Sequence, residues 1–166
     1  MRDSIGIAAL AVTLTLSACA PLLRQPPPLG SPVAAVTAAL GQPNAVYPDP
    51  AGGQILEYRG QPMGQFQHMA HIGADGRLTS YDQVLTSENF AKVKIDHWTK
   101  DDILRNYGRP AEVSRVYAHN YEVWSYRYKE AGVWNSMMSV HFDEQGVVRQ
   151  MLNGPDPLYD DRFRRR

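Results

Sequence analysis

Thr99 to Pro110 reads "TKDDILRNYGRP", a short helix with both ends written into the sequence. Thr99 is placed to cap the N-terminus, and Asp102 three residues on is the carboxylate variant of a capping box. Trp98 and Ile103 have the spacing of a hydrophobic staple, and Asp101 and Asp102 suit the positive end of the helix dipole. Ile103, Leu104 and Tyr107 share one face at helical spacing. Gly108 can adopt a left-handed C′ conformation and Pro110 cannot continue the helix.

The same grammar occurs upstream. "SPVAAVTAALGQP" places Ser31 as N-cap and Pro32 at the first helical position. Val33, Val36 and Leu40 form the apolar face, and Gly41 and Pro43 end the helix. Gly41 and Gly108 stand 67 positions apart. A helix of about ten residues is marginal alone, so each copy must pack on something.

Each helix leads into a strand-like stretch. "YEVWSYRYK" sets Trp124, Tyr126 and Tyr128 on one face, and "NSMMSVHFD" does the same for Met138, Val140 and Phe142. "DEQG" (Asp143 to Gly146) is a turn, and "VVRQML" supplies a further strand. The first copy answers with "QILEYRG", "QHMAHIG", the turn "ADG" and "RLTSYDQVL". The offset between matched residues grows from 67 to 68 to 70 along the unit, as insertions in loops between preserved elements would produce. The fold class is therefore α+β: two tandem units, each a short helical segment packed on a three- to four-stranded antiparallel sheet. One unit of this size is near the lower limit for folding alone, and two copies packed together relieve that limit.

The N-terminus belongs to a different problem. After Arg2 comes an apolar run from Ile5 to Leu16, the length of a signal-peptide core and short for a bilayer span. Leu16-Ser17-Ala18-Cys19 resembles the lipobox of bacterial lipoproteins, with cleavage between Ala18 and Cys19 and acylation of the new N-terminal Cys19. Two or more acyl chains anchor a protein to a membrane without spanning it. Ala20, rather than Asp, comes after the cysteine, which by resemblance to that class implies the outer membrane, facing the periplasm. Residues 1–18 are thus read as signal peptide, and 19–30, with Pro26 to Pro28, as a polyproline tether. The first unit spans 31–92, the second 93–153, and a basic tail ending "RFRRR" spans 154–166. Cys19 is the lone cysteine, so no disulfide supports the fold, and 43% apolar content must supply the core.

The capped helix, Gly-x-Pro, "EVWSYRY" and "VHFDEQGVV", set behind a lipobox, resemble the SmpA/OmlA (BamE-like) family of outer-membrane lipoproteins. "VTAALGQP" and "ILEYRG" carry the same resemblance in the first copy. It implies a small two-layer α+β unit of the kind found in tandem β-lactamase-inhibitor proteins, and a role in outer-membrane protein assembly or envelope integrity. Typical members carry one unit and this chain carries two, so no contact residue of the family is carried over.

The residues themselves offer little chemistry. His68 and His71 form H-x-x-H, but in a strand i and i+3 point to opposite faces, so no metal site is assigned. His141 lies beside Ser139 on the face opposite Val140 and Phe142 and reads as a solvent-facing polar residue. Asp101–Asp102 belong to the helix start, and no catalytic residue is assigned. Seventeen basic residues balance 17 acidic ones without a basic stripe, which excludes a nucleic-acid reading. Trp124, Tyr126 and Tyr128 are read as core. Tyr121 and Trp134, flanking the hairpin loop "KEAGVWN", are the candidates for a partner surface. The sequence is read as a non-enzymatic, lipid-anchored interaction module with an envelope protein partner and no small-molecule cofactor beyond the covalent lipid on Cys19. The alternative is an inhibitor or ligand-binding module of the tandem inhibitor type.

Overall fold

The computed structural model describes residues 25–160; the signal and lipidation residues, Ala18 and Cys19 among them, and the final six residues lie outside that range. Helix α1 (Val33–Leu40) leads into strands β1 (Ala45–Pro48), β2 (Gln54–Arg59), β3 (Gln67–Ile72) and β4 (Leu78–Gln83). A single turn, α2 (Ser87–Phe90), and helix α3 (Lys100–Tyr107) come next. Then come β5 (Glu112–Val116), a 3₁₀ turn (Tyr117–His119), β6 (Tyr121–Glu130), β7 (Trp134–Phe142) and β8 (Val148–Pro155). The strands form two separate antiparallel meanders, β1-β2-β3-β4 and β5-β6-β7-β8. The architecture is α+β in two tandem units, each a helix followed by four strands.

The repeat holds at the level of single backbone hydrogen bonds. Gly41 N–H donates to Thr37 O, and 67 positions on Gly108 N–H donates to Leu104 O. Asn44 N–H to Glu57 O recurs as Ala111 N–H to Ser125 O. Val33 N–H to Gly76 O recurs as Lys100 N–H to Gly146 O, tying each helix start to the last turn of its own sheet. Both sheets shift register at the matched step, His71/Ile72 and His141/Phe142.

The cores match residue by residue. In the first unit Val36 and Leu40 of α1 pack on Leu56, Ala70, Ile72 and Leu78. Their matches, Ile103 and Tyr107 of α3 with Trp124, Val140, Phe142 and Val148, lie within one larger cluster. That cluster is larger because α3 has two neighbours. Its other side meets Ile55 and Met69 on the second face of the first sheet, and the linker adds Val84, Leu85 and Phe90. The layers run α1, first sheet, α3, second sheet. Burying both faces of the first sheet explains why β2 and β3 lack clean alternation of apolar and polar residues. On the second sheet the residues matching Glu57 and Met69 are Ser125 and Ser139, whose hydroxyls bond each other at 3.1 Å. That polar face suits the end of an array with no third unit to cover it.

Four local expectations are corrected. Ser31 does not cap α1: Pro32 is the N-cap residue and no side-chain cap forms. Ser31 instead uses its carbonyl to accept from Leu78 N–H, and the turn carbonyl of Gly76 takes the first helical donor. Gly108 has positive φ (70°), but its ψ of −161° is extended rather than left-handed helical, a region open essentially to glycine alone. Gly41 does the same (φ 87°, ψ −175°). His141 is buried rather than solvent-facing, with the Tyr121 ring edge-on to it at 6.3 Å. The capping box of Thr99 and Asp102 forms as read. The tail assigned from residue 154 begins inside β8, and Asp156 just beyond it is buried in an ion pair with Arg127.

Candidate functional site

The two units meet at the Gly-x-Pro of the second copy. Gln67, fully buried on β3, donates its amide to Tyr107 O at 2.5 Å. Glu57, fully buried on β2, accepts from Tyr47 OH at 2.5 Å and from Arg109 N–H at 3.3 Å. Arg59 donates to Pro110 O, and Tyr126 of the second sheet donates to Gly108 O. A Cβ on Gly108 would collide with Gln67 Nε2 and sit 2.9 Å from the Glu57 carboxylate. The helix stop therefore lies in a polar clamp built by the neighbouring sheet. Glu57 Oε1 and Gln67 Oε1 have no partner there, so the clamp fixes position at some cost in desolvation. A second polar splice lies on β6 past the end of β5: the Gln61 amide donates to Arg127 O at 2.7 Å, and Arg127 N–H donates back to Gln61 Oε1.

A cleft of about 420 Å³ opens beside this seam, lined by His71, Asp82, Thr86, Asn89, Lys92 and Asn106 among others. Its amides already serve the fold. Asn89 binds Val84 O and receives Lys92, and the Gln83 side chain bonds the Leu85 backbone. His71 Nδ1 lies 3.0 Å from Asp49 Oδ2, an interaction that holds the Asp49 carboxyl below the usual carboxylate range. Among the described residues no group of three His, Cys, Asp or Glu side chains is placed to hold a metal. None of their helices is long and apolar enough to cross a membrane.

The surface with an open chemical character is the outer face of the first sheet, past the end of α1. Cross-strand register places Tyr58 opposite His68 and Ala70 opposite Tyr81. The His68 and Tyr81 rings stack at 4.9 Å with a 4° interplanar angle. Tyr58 stands 6.3 Å from Tyr81, and Phe66, 49% exposed, stands 5.7 Å from His68. Phe66 is held because Gly60 and Gly64 leave room for its ring. Partial burial lowers the pKa of His68, favouring the neutral imidazole, and raises those of Tyr58 and Tyr81. The stripe is uncharged, aromatic and set on three paired strands.

The sequence-based partner candidates do not come together. Trp134 is 69% exposed at the start of β7, opposite Glu130. Tyr121 opens β6 at its far end, and a ten-residue strand spans about 30 Å. Their register also puts them on opposite faces of the sheet, because Glu130, the partner of Trp134, lies an odd number of positions from Tyr121. His68 of the H-x-x-H belongs to the stripe and His71 to the cleft, on opposite faces as the strand period requires. Sequence reasoning missed the stripe, although its signal was present: Tyr58, His68 and Tyr81 match Tyr126, Met138 and Met151 at offsets of 68, 70 and 70.

No family model matches the chain, and no curated protein matches it. One solved structure, a DUF4309 family protein (YjgB) from Bacillus subtilis subsp. subtilis str. 168, aligns at 14% identity. The alignment covers 76% of this chain and 79% of that one with a TM-score of 0.33, too low to establish a shared fold.

Proposed function

We propose that the chain is a non-enzymatic interaction module of the bacterial envelope, in the manner of the SmpA/OmlA lipoproteins it resembles. Lipid on Cys19 anchors it to the outer membrane facing the periplasm, and it meets a protein partner in membrane-protein assembly or envelope upkeep. The observation carrying the partner reading is the partly exposed stripe of Tyr58, Phe66, His68 and Tyr81, four rings linked in a chain where a solvated sheet face would carry polar residues. Neither a cofactor nor nucleic acid enters this reading.

Two experiments test it. Palmitate labelling in cells is expected for the natural chain and lost in Cys19→Ala; label on the variant overturns the anchor. A photo-crosslinking residue in place of Tyr81 is expected to trap an outer-membrane assembly or envelope protein. A soluble enzyme in the adduct would instead support the inhibitor reading, and no adduct from any stripe position would remove the stripe as a partner surface.

A further inference from the structure

The cleft at the seam is lined by polar atoms that the fold leaves unused. It lies between the first sheet, the linker and α3, and its volume of about 420 Å³ suits a small ligand, for which such junctions are common sites. His71 stands opposite Ser80 in the β3–β4 register, and Asp82 lies two positions on. Both side chains therefore rise from one face as diagonal neighbours. Among the described residues the exposed Asp82 carboxylate has no hydrogen-bond or ion-pair partner. Asp49 accepts from Nδ1 of the neutral His71 imidazole, which leaves Nε2 as an acceptor. Asn106 donates its amide to Asp102 O at 2.8 Å, which leaves its Oδ1 to accept.

The linker wall has the opposite character. Lys92 donates one proton to Asn89 Oδ1 at 2.7 Å and retains two. Thr86 Oγ accepts from Asn89 N–H at 3.2 Å, so its own hydroxyl proton remains to donate. The sheet and α3 thus present acceptors with the negative charge of Asp82, and the linker presents donors with the positive charge of Lys92. The repeat shows that the fold does not require the acidic groups. The second unit builds the same strands with Val116 in place of Asp49 and Leu152 in place of Asp82, and its matching His141 is buried.

We infer that the cleft binds a small zwitterion, a free α-amino acid, with its ammonium on Asp82, His71 and Asn106 and its carboxylate on Lys92 and Thr86. An ammonium has three protons for those three acceptors, and a carboxylate accepts from both linker donors. Asp82, Lys92 and Asn106 are exposed, so the charges stay partly hydrated and the ligand exchanges readily. The cleft lies on the face of the first sheet opposite the aromatic stripe, so the two readings stand or fall separately.

The test titrates L-alanine, ethylamine and propionate separately into the isotope-labelled full-length chain while NMR shifts are followed. Saturable shifts are expected at His71, Asp82 and Lys92 with L-alanine. Ethylamine and propionate, each lacking one charge, should bind about tenfold more weakly, the worth of a hydrogen bond to a charged group. Asp82→Asn should weaken L-alanine and ethylamine but not propionate, and Lys92→Gln should weaken L-alanine and propionate but not ethylamine. Both residues are exposed, so neither substitution disturbs the core. Silence at millimolar L-alanine, equal binding of the three compounds, or unchanged L-alanine binding in both variants would each overturn the inference.

Discussion

The first and second units share a backbone plan down to single hydrogen bonds, yet they treat the same positions oppositely. The second unit packs Phe90 of its linker on Tyr107, Tyr126 and Tyr128, and leaves its far face polar with Ser125 and Ser139. The first unit buries its far face under α3 through Ile55 and Met69, and carries a partly buried aromatic stripe of Tyr58, His68 and Tyr81 beside the α1 core. Duplication therefore did more than double the core. It gave one sheet apolar neighbours on both faces, α1 on one and α3 on the other, while the second sheet has them on one. Matched positions on the same backbone form a built-in control, so paired substitutions in the two units can break or sharpen the contrast.

The largest contrast should lie in the two glycines. Both hold positive φ with extended ψ, so Gly41→Ala carries backbone strain of about 1–3 kcal/mol. Gly108→Ala adds the displacement of Gln67 and Glu57, a further ~1–3 kcal/mol. Urea unfolding should rank Gly108→Ala clearly below Gly41→Ala. Equal losses would mean that the clamp yields without cost and that Gly-x-Pro is only a helix stop in both copies.

The sheet faces supply the next pair. Met69→Ala removes a fully buried side chain beneath α3 and should cost about 2–5 kcal/mol. The matching Ser139→Ala loses one hydroxyl pair, about 0.5–1.5 kcal/mol. A reversed order in denaturant would contradict the layer sequence.

The smallest pair is at the helix starts. Thr99→Ala should cost about 0.5–2 kcal/mol and Ser31→Ala close to nothing, since only Thr99 caps through its side chain. The Thr99 effect should also depend on pH. Burial acts to raise the pKa of Asp102, but hydrogen bonds from Thr99 and the Arg105 guanidinium outweigh it and hold the carboxyl below its ordinary value. A carboxylate depressed in the folded state contributes stability above its unfolded pKa, about 4, and loses it as pH falls through the folded value. The gap between natural chain and Thr99→Ala should be full at pH 7 and narrow in acid.

These pairs also show how much was legible in the sequence. The caps of α3, the apolar rows and the repeat offsets were readable because each is a local or periodic property of side chains. Ser31 misled because Ser-Pro at a helix start looks like a cap, while the bond that decides it comes from Gly76, far along the chain at the last turn of the sheet. The burial of Ile55 and Met69 could not be read, since it depends on α3 of the other unit. Tyr121 and Trp134 were grouped by nearness to one loop, and the ten-residue length of β6 separates them. The stripe was hidden because aromatic rows usually signal core, and Tyr58, His68 and Tyr81 are each only partly buried.

Hydroxyl-radical footprinting, read by mass spectrometry, tests the proposed stripe most directly on the full-length chain, first purified and then in the cell envelope where the proposed anchor would hold it. The partly buried Tyr58, His68 and Tyr81 should be oxidised faster in the purified protein than the fully buried Tyr107, Tyr126 and Tyr128, and the proposed partner should slow them in the envelope. A stripe already protected in the purified chain, or one equally reactive in both settings, would contradict the account.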